Sequence, residues 1–282
     1  RKSFCSLISF LLFSLLACGA ASAHWYVAPT GNDANNGSKR KPLKTIAAAL
    51  QRVNPGDTVF LREGSYGEFV VPTRSGKPGK MITLKSYPGE TAKIDGSDLY
   101  IKGWGNALVQ VNNIDYMQFE NLHICHAHDS ENNTDPEGIY ITGTSGNITF
   151  RGCKVYDIKN DCPLVDAKGD WRSAHAILVL GTDDNTPIRN LLIEKCEIFE
   201  IHSGTSEAFT LAGNVVDFTI QDNEVHDVEN IGIIIAGGDN LNPKGDISVN
   251  YARNGVVRRN KVYRCTPVSY THLRAHETGR NL

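Results

Sequence analysis

Between Ile188 and Gly238 one pattern of apolar and polar positions occurs twice. Ile193, Ile198 and Ile201 punctuate a polar run through Glu200, and after a short polar turn Ala208-Phe209-Thr210-Leu211-Ala212-Gly213 closes the unit. Ile220, Val225 and Val228 do the same through Asp227, ahead of Gly232-Ile233-Ile234-Ile235-Ala236-Gly237. Each unit is two short β-rich runs broken by Gly, Asn and Asp. The frame extends back to Phe150–Ile158 and Phe119–Ile124, and forward to Val257–Cys265. One column reads Leu122, Cys153, Cys196, Asn223, Asn260, with steps of 31, 43, 27 and 37 residues. An array of helices would keep a tighter period and space its apolar residues by about 3.6. Here the runs hold their frame and only the connections vary. That predicts an all-β solenoid of stacked parallel strands, with insertions collecting in loops on one side.

Ahead of the repeats, Trp25-Tyr26-Val27-Ala28 predicts a strand and Pro29–Ser38 a dense turn segment. The one good helix follows. Thr45 is its N-cap, Ile46, Ala49, Leu50 and Val53 form its apolar stripe, and Asn54-Pro55-Gly56 stops it. An open solenoid end needs a cover, so this helix is expected to cap it. Asp57–Leu61 and Met81–Lys85 are the next strands. Ile233, Ile234 and Ile235 put apolar side chains on both faces of one strand, so either the loop 239–252 covers the outer face or a partner does.

Composition changes this picture at the two ends. Arg1 and Lys2 precede the apolar run Phe10–Leu16, and Ala21-Ser22-Ala23 supplies small residues for cleavage before His24. Residues 1–23 are expected to be a signal peptide of a bacterial protein, secreted, periplasmic or on the outer surface. Leu15-Leu16-Ala17-Cys18 is the alternative, a lipobox leaving a lipid anchor on Cys18. The apolar run is too short for a membrane span. The chain lacks an initiator Met and is expected to be a fragment. Residues 267–282, with Val268-Ser269-Tyr270-Thr271-His272-Leu273, break the strand pattern and resemble translated adapter sequence, so the folded unit is expected over 24–266 with further coils missing.

The net charge is −2, and a mildly acidic body does not suit nucleic acid, which wants a basic face, so no nucleic-acid partner is expected. Five Cys lie beyond the signal, with no CxxC pair, so a structural zinc site of that type is not expected. Cys153 and Cys196 share a column, where stacked free thiols are expected over a disulfide.

The run Tyr26-Val27-Ala28-Pro29-Thr30-Gly31-Asn32-Asp33, with Pro42–Ala49 and Pro55-Gly56-Asp57-Thr58-Val59, resembles the leading segment of secreted right-handed parallel β-helix proteins. That group includes polysaccharide lyases of the pectate lyase family nine type. The resemblance covers about 24–265 and implies a monomeric right-handed parallel β-helix that handles a polysaccharide. It further implies β-elimination on a uronate polymer, with Ca²⁺ or Arg neutralising the substrate carboxylate and a base taking the adjacent proton. The Asp-rich Ca²⁺ site and Lys base of those lyases have no clear match; Asp183-Asp184 sits in a polar turn.

Two polar columns are the candidates for chemistry. Glu137, His175 and Glu207 stand just before the second run of successive units, and Asp157, Glu200 and Asp227 follow the first run, with Arg264 next. Stacked carboxylates repel unless bridged, so Glu137, Glu207, Asp227, Asp157 and Glu200 are candidate Ca²⁺ ligands. His175, Lys168 and Arg172 are the catalytic candidates, and Trp171 with His202 the substrate-binding ones. Two other readings stay open. One is a non-catalytic glycan-binding β-helix. The other is a glycoside hydrolase using Glu137 and Glu207, about 9.6 Å apart at two strand spacings.

Overall fold

A computed structural model describes residues 22–101, 105–163, 172–237 and 240–266. Three parallel sheets run the length of the molecule. The first has ten strands, including His24–Val27, Thr58–Leu61, Ile82–Ser86, Asp115–Glu120, Gly146–Arg151, Leu192–Glu194, Thr219–Gln221 and Val256–Arg258. The second has seven: Gly64–Tyr66, Ala92–Asp95, His123–Asp129, Lys154–Asn160, Glu197–His202, Glu224–Glu229 and Lys261–Thr266. The third has five: Val109–Asn112, Glu137–Thr142, His175–Gly181, Glu207–Gly213 and Ile231–Ile235. The chain visits the sheets in turn, so neighbours in each sheet come from successive coils.

The core is the inside of this coil. Val59, Leu84, Phe119, Phe150, Ile193 and Ile220 are buried in register down the first sheet, and Val257 ends the column exposed. Phe119 and Phe150 stack at 4.4 Å between centroids. Each such side chain taken out of water contributes about 1.5–3 kcal/mol.

The corner from the first sheet to the second explains why the frame survives. Asn121, Gly152, Lys195, Asp222 and Arg259 occupy it on successive coils, at φ of 53°, 63°, 55°, 57° and 55°. The left-handed residue and one more link the strands on every coil, so the length of the turn holds. The predicted column Leu122, Cys153, Cys196, Asn223, Asn260 follows this corner. Its last members form a ladder: Cys196 N donates to Asn223 Oδ1 at 2.9 Å, and Asn223 Nδ2 donates to Asn260 Oδ1 at 2.9 Å. Cys153 and Cys196 are buried free thiols.

Loop variation falls at two corners, not one, and both flank the third sheet. The longer connections precede its strands, as in 161–174, and follow them, as in 236–255. Leu241 from the latter packs on Leu178, Leu180 and Ala212, and Asn242 Nδ2 donates to Gly181 O at 2.8 Å. The loop thus covers the outer apolar face of strands His175–Gly181 and Glu207–Gly213, while Ile233, Ile234 and Ile235 on the last strand are half-buried.

The expected helix is Ile46–Leu50, with Thr45 Oγ1 accepting from Ala48 N. Its buried side chains, Ile46, Ala49 and Leu50, join the core beside the first two strands. Among the described residues no helix is long and apolar enough to cross a membrane.

Candidate functional site

Where the third-sheet strands begin, parallel register assembles one polar cluster. Glu137 pairs with His175, and the pairing of Ile177 with Phe209 brings Glu207 level with His175 on the next coil. Asp135, two residues before Glu137, joins them through its contact with His175. Asp135 and Glu137 are fully buried, and His175 nearly so. His175 Nδ1 donates to Asp135 Oδ1 at 2.9 Å, and its Nε2 lies 2.9 Å from Ser206 Oγ. Ser206 Oγ donates in turn to Glu207 Oε2 at 3.2 Å, as does Thr210 Oγ1 at 3.0 Å. Gly105 N donates to Glu137 Oε1 at 3.2 Å, while Glu137 Oε2 is buried with no partner among the described residues.

The electrostatics fix the proton order. Burial works against a charge on His175, but the charge and hydrogen bond of Asp135, with Glu207 and Glu137 beyond, overcome it and raise its pKa to about 10. Burial and the neighbouring Asp135 charge push Glu137 up to about 8. Burial alone would raise Glu207, yet the His175 hydrogen bond and charge hold it below its ordinary value. At neutral pH His175 is therefore an imidazolium donating from both nitrogens. Asp135, His175 and Ser206 have the connectivity of a nucleophile–base–orienter triad. The proton order is the reverse of one that activates Ser206, because Nε2–H points at the hydroxyl and the hydroxyl points at Glu207. His175 is a buried countercharge that orients Glu207, a role sequence reasoning did not assign.

The second polar column lies elsewhere, on the outer face of the second sheet. Asp157, Glu200, Asp227 and Arg264, with His126 before them, have φ of 56°, 55°, 53°, 51° and 63°. They are left-handed bends within the strands, skipped by the register that pairs Tyr156 with Phe199 and Ile158 with Ile201. Asp and Asn tolerate that conformation best, which accounts for the acidic column. Asp157 pairs with Lys159 and lies 3.0 Å from His128 Nε2, while Asp227 pairs with Arg264 and lies 2.7 Å from His226 Nδ1.

The five carboxylates named as Ca²⁺ ligands thus fall on two sheets and do not converge. Glu137 and Glu207 are spoken for by the His175 cluster, and Asp157 and Asp227 by side-chain cations. Ca²⁺ takes six to eight oxygens, and these residues do not fit it as one site.

Of the remaining candidates, Lys168 and Trp171 lie outside the described residues. Arg172 and His202 lie at the corner between the second and third sheets. His202 is 43% exposed, and its Nδ1 is 3.0 Å from Asp161 Oδ1. Its Nε2 has no partner among the described residues. His202 lines an open depression of about 380 Å³ with Asp227, Glu229, Arg264 and Thr266. Arg172 Nη2 donates to Glu229 Oε2 at 3.1 Å, and Arg172 Nε is buried without a partner among the described residues. Asp161, Ser206 and Thr210 were not singled out in the sequence; the Asp135-Pro136-Glu137 spacing was the one readable signal for Asp135.

Residues 25–186 match the model of the Pel9A-like, right-handed beta helix region. The chain belongs to this family. It is 34% identical over 231 residues to the uncharacterized protein YwoF of Bacillus subtilis, covering 82% of this chain and 46% of that protein. It is 26% identical over 147 residues to pectate lyase PEL9 of Emericella nidulans, covering 48% and 34% respectively. The chain therefore spans about half the length of these relatives or less. Among solved structures, the lacto-N-biosidase of glycoside hydrolase family 136 from Eubacterium ramulus superposes with a TM-score of 0.55 at 14% identity, over 86% of this chain and 52% of that one. At that identity the likeness is one of fold.

Proposed function

We propose that this Pel9A-like chain forms the β-helix of a secreted enzyme that cleaves a uronate-containing polysaccharide, such as pectate, by β-elimination. The observation that carries the reading is the His202–Asp161 pair, which leaves Nε2 facing an open depression one hydrogen-bonded step from Arg172, through Glu229. Asp161 holds the Nδ1 proton, so the Nε2 lone pair is the base. It takes the proton from the carbon next to the uronate carboxylate. That C–H electron pair becomes a carbon–carbon double bond, the glycosidic C–O bond breaks, and the leaving oxygen takes a proton from solvent. Arg172 exchanges Glu229 for the substrate carboxylate and stabilises the charge that builds on it. The His175 cluster anchors the neighbouring loop, since Asn230 Nδ2 donates to Ser206 O at 2.9 Å. No step is assigned to Ca²⁺, whose involvement is tested by adding it and by chelation.

The opposed pKa shifts of Glu137 and Glu207 support a second reading, a glycoside hydrolase with an acid–base carboxyl pair. Burial of Glu137 beneath the Gly105 segment counts against it. The two separate by product: elimination gives an ultraviolet-absorbing unsaturated uronate, and hydrolysis gives reducing ends without that absorbance.

A further inference from the structure

On the outer face of the second sheet, several coils from His202, three different donors meet. The carboxylate of Asp95, the thiol of Cys125 and the imidazole of His126 all place a ligand atom within 4.8 Å of one another. Asp95 and Cys125 are register partners on adjacent strands. Consecutive residues of a regular strand face opposite sides. Cys125 and His126 do not, because His126 is at φ 63° and drops out of the register. Ile124 and Ala127 point into the core, and the bend turns both donors outward. The feature that repeats down the sheet as a mere bend here makes a two-residue ligand pair.

We propose that Asp95, Cys125 and His126 bind a divalent transition metal of the zinc type, with a fourth position left to solvent. The donor set decides the class of metal. Thiolate, imidazole and carboxylate together suit Zn²⁺ and its neighbours, whereas Ca²⁺ and Mg²⁺ take oxygen alone. His126 Nδ1 is already 2.8 Å from Asp95 Oδ1, so a small opening of that contact admits an ion. The other ring nitrogen faces Asp157 Oδ2 at 3.7 Å. That is the carboxylate–histidine–metal arrangement that orients a ligating imidazole. Asp157 is itself held by Lys159 and His128. Cys125 is buried beside Tyr156, its register partner on the next strand, and metal binding would release its thiol proton to solvent.

The test is a titration of the full chain, stripped with chelator, with Co²⁺ as the optical probe. The expected result is one ion per chain, visible bands of tetrahedral Co²⁺, a near-ultraviolet thiolate-to-cobalt band, and displacement by Zn²⁺. Cys125→Ser should abolish the near-ultraviolet band. Asp157→Asn should weaken binding about tenfold or more through the imidazole, and Cys265→Ser should leave all four readouts unchanged. A wild-type protein that gives no thiolate-to-cobalt band overturns the assignment. So does a band that survives Cys125→Ser. The wild-type spectrum is decisive even if a variant fails to fold.

Discussion

His175 Nδ1 lies 2.9 Å from Asp135 Oδ1, and the two side chains are 3% and 0% exposed. With Glu137 beside them, this is a buried charge cluster neutralised by one imidazolium. Removing it strands a carboxylate in the core. His175→Ala is expected to cost about 3–5 kcal/mol, the range for breaking a buried ion pair from one side. Urea unfolding at neutral pH measures it. A loss of about 0.5 kcal/mol, as for a surface change, would contradict the account.

The same cluster sets a pH dependence. Folded His175 titrates at about 10 against an ordinary 6.5, and folded Glu137 at about 8 against 4.5. Both bind protons more tightly folded than unfolded, so both make stability fall as pH rises. The His175 contribution is whole below pH 6.5 and is lost towards pH 10. The Glu137 contribution is whole below pH 4.5 and is lost towards pH 8. Glu137→Gln keeps an acceptor for Gly105 N and has no proton to lose. Between pH 4.5 and 8 the stability of this variant should therefore fall less steeply than that of wild type. Thermal midpoints across pH measure this, and curves that run parallel would refute it.

The acidic column of the second sheet is explained by backbone geometry, and Glu200 tests that cleanly. It is exposed at φ 55°. Glu200→Val is expected to cost about 1–2 kcal/mol, because a β-branched residue resists the left-handed region. Glu200→Gly should cost little. Equal losses in both variants would mean that the carboxylate itself matters.

Asn223 ties three coils together. Its Oδ1 accepts from Cys196 N, and its Nδ2 donates to Ile193 O and Asn260 Oδ1. Asn223→Ala leaves the buried Cys196 N–H without that acceptor and is expected to cost about 1–3 kcal/mol. Unchanged urea unfolding would show that the ladder is dispensable.

These elements differ in how far the sequence disclosed them. The solenoid was legible because the corner at Asn121, Gly152, Lys195, Asp222 and Arg259 is the same two-residue link on every coil and holds the core columns in frame. The Glu137–His175–Glu207 column was legible because each member opens the apolar run of a third-sheet strand, although the connections before it vary in length. Asp135 was not, since its contact with His175 spans 40 residues and an irregular loop. Asp157, Glu200 and Asp227 looked like ligands because residue type does not disclose a positive φ, and Asp serves in both roles. His202 was marked for substrate contact, but its pairing with Asp161, two residues past its register partner Lys159, is not disclosed by residue type.

The central claim, elimination with His202 as base, is tested by following ultraviolet absorbance of unsaturated uronate. The full chain and His202→Ala are incubated with pectate, alginate and chondroitin, with Ca²⁺ and with chelator. The account predicts a rise on one polymer with wild type, and a loss of about 100-fold or more in His202→Ala, the scale of a positioned base, with its thermal midpoint unchanged. No rise on any of the three polymers, or a rise that His202→Ala retains in full, would contradict it.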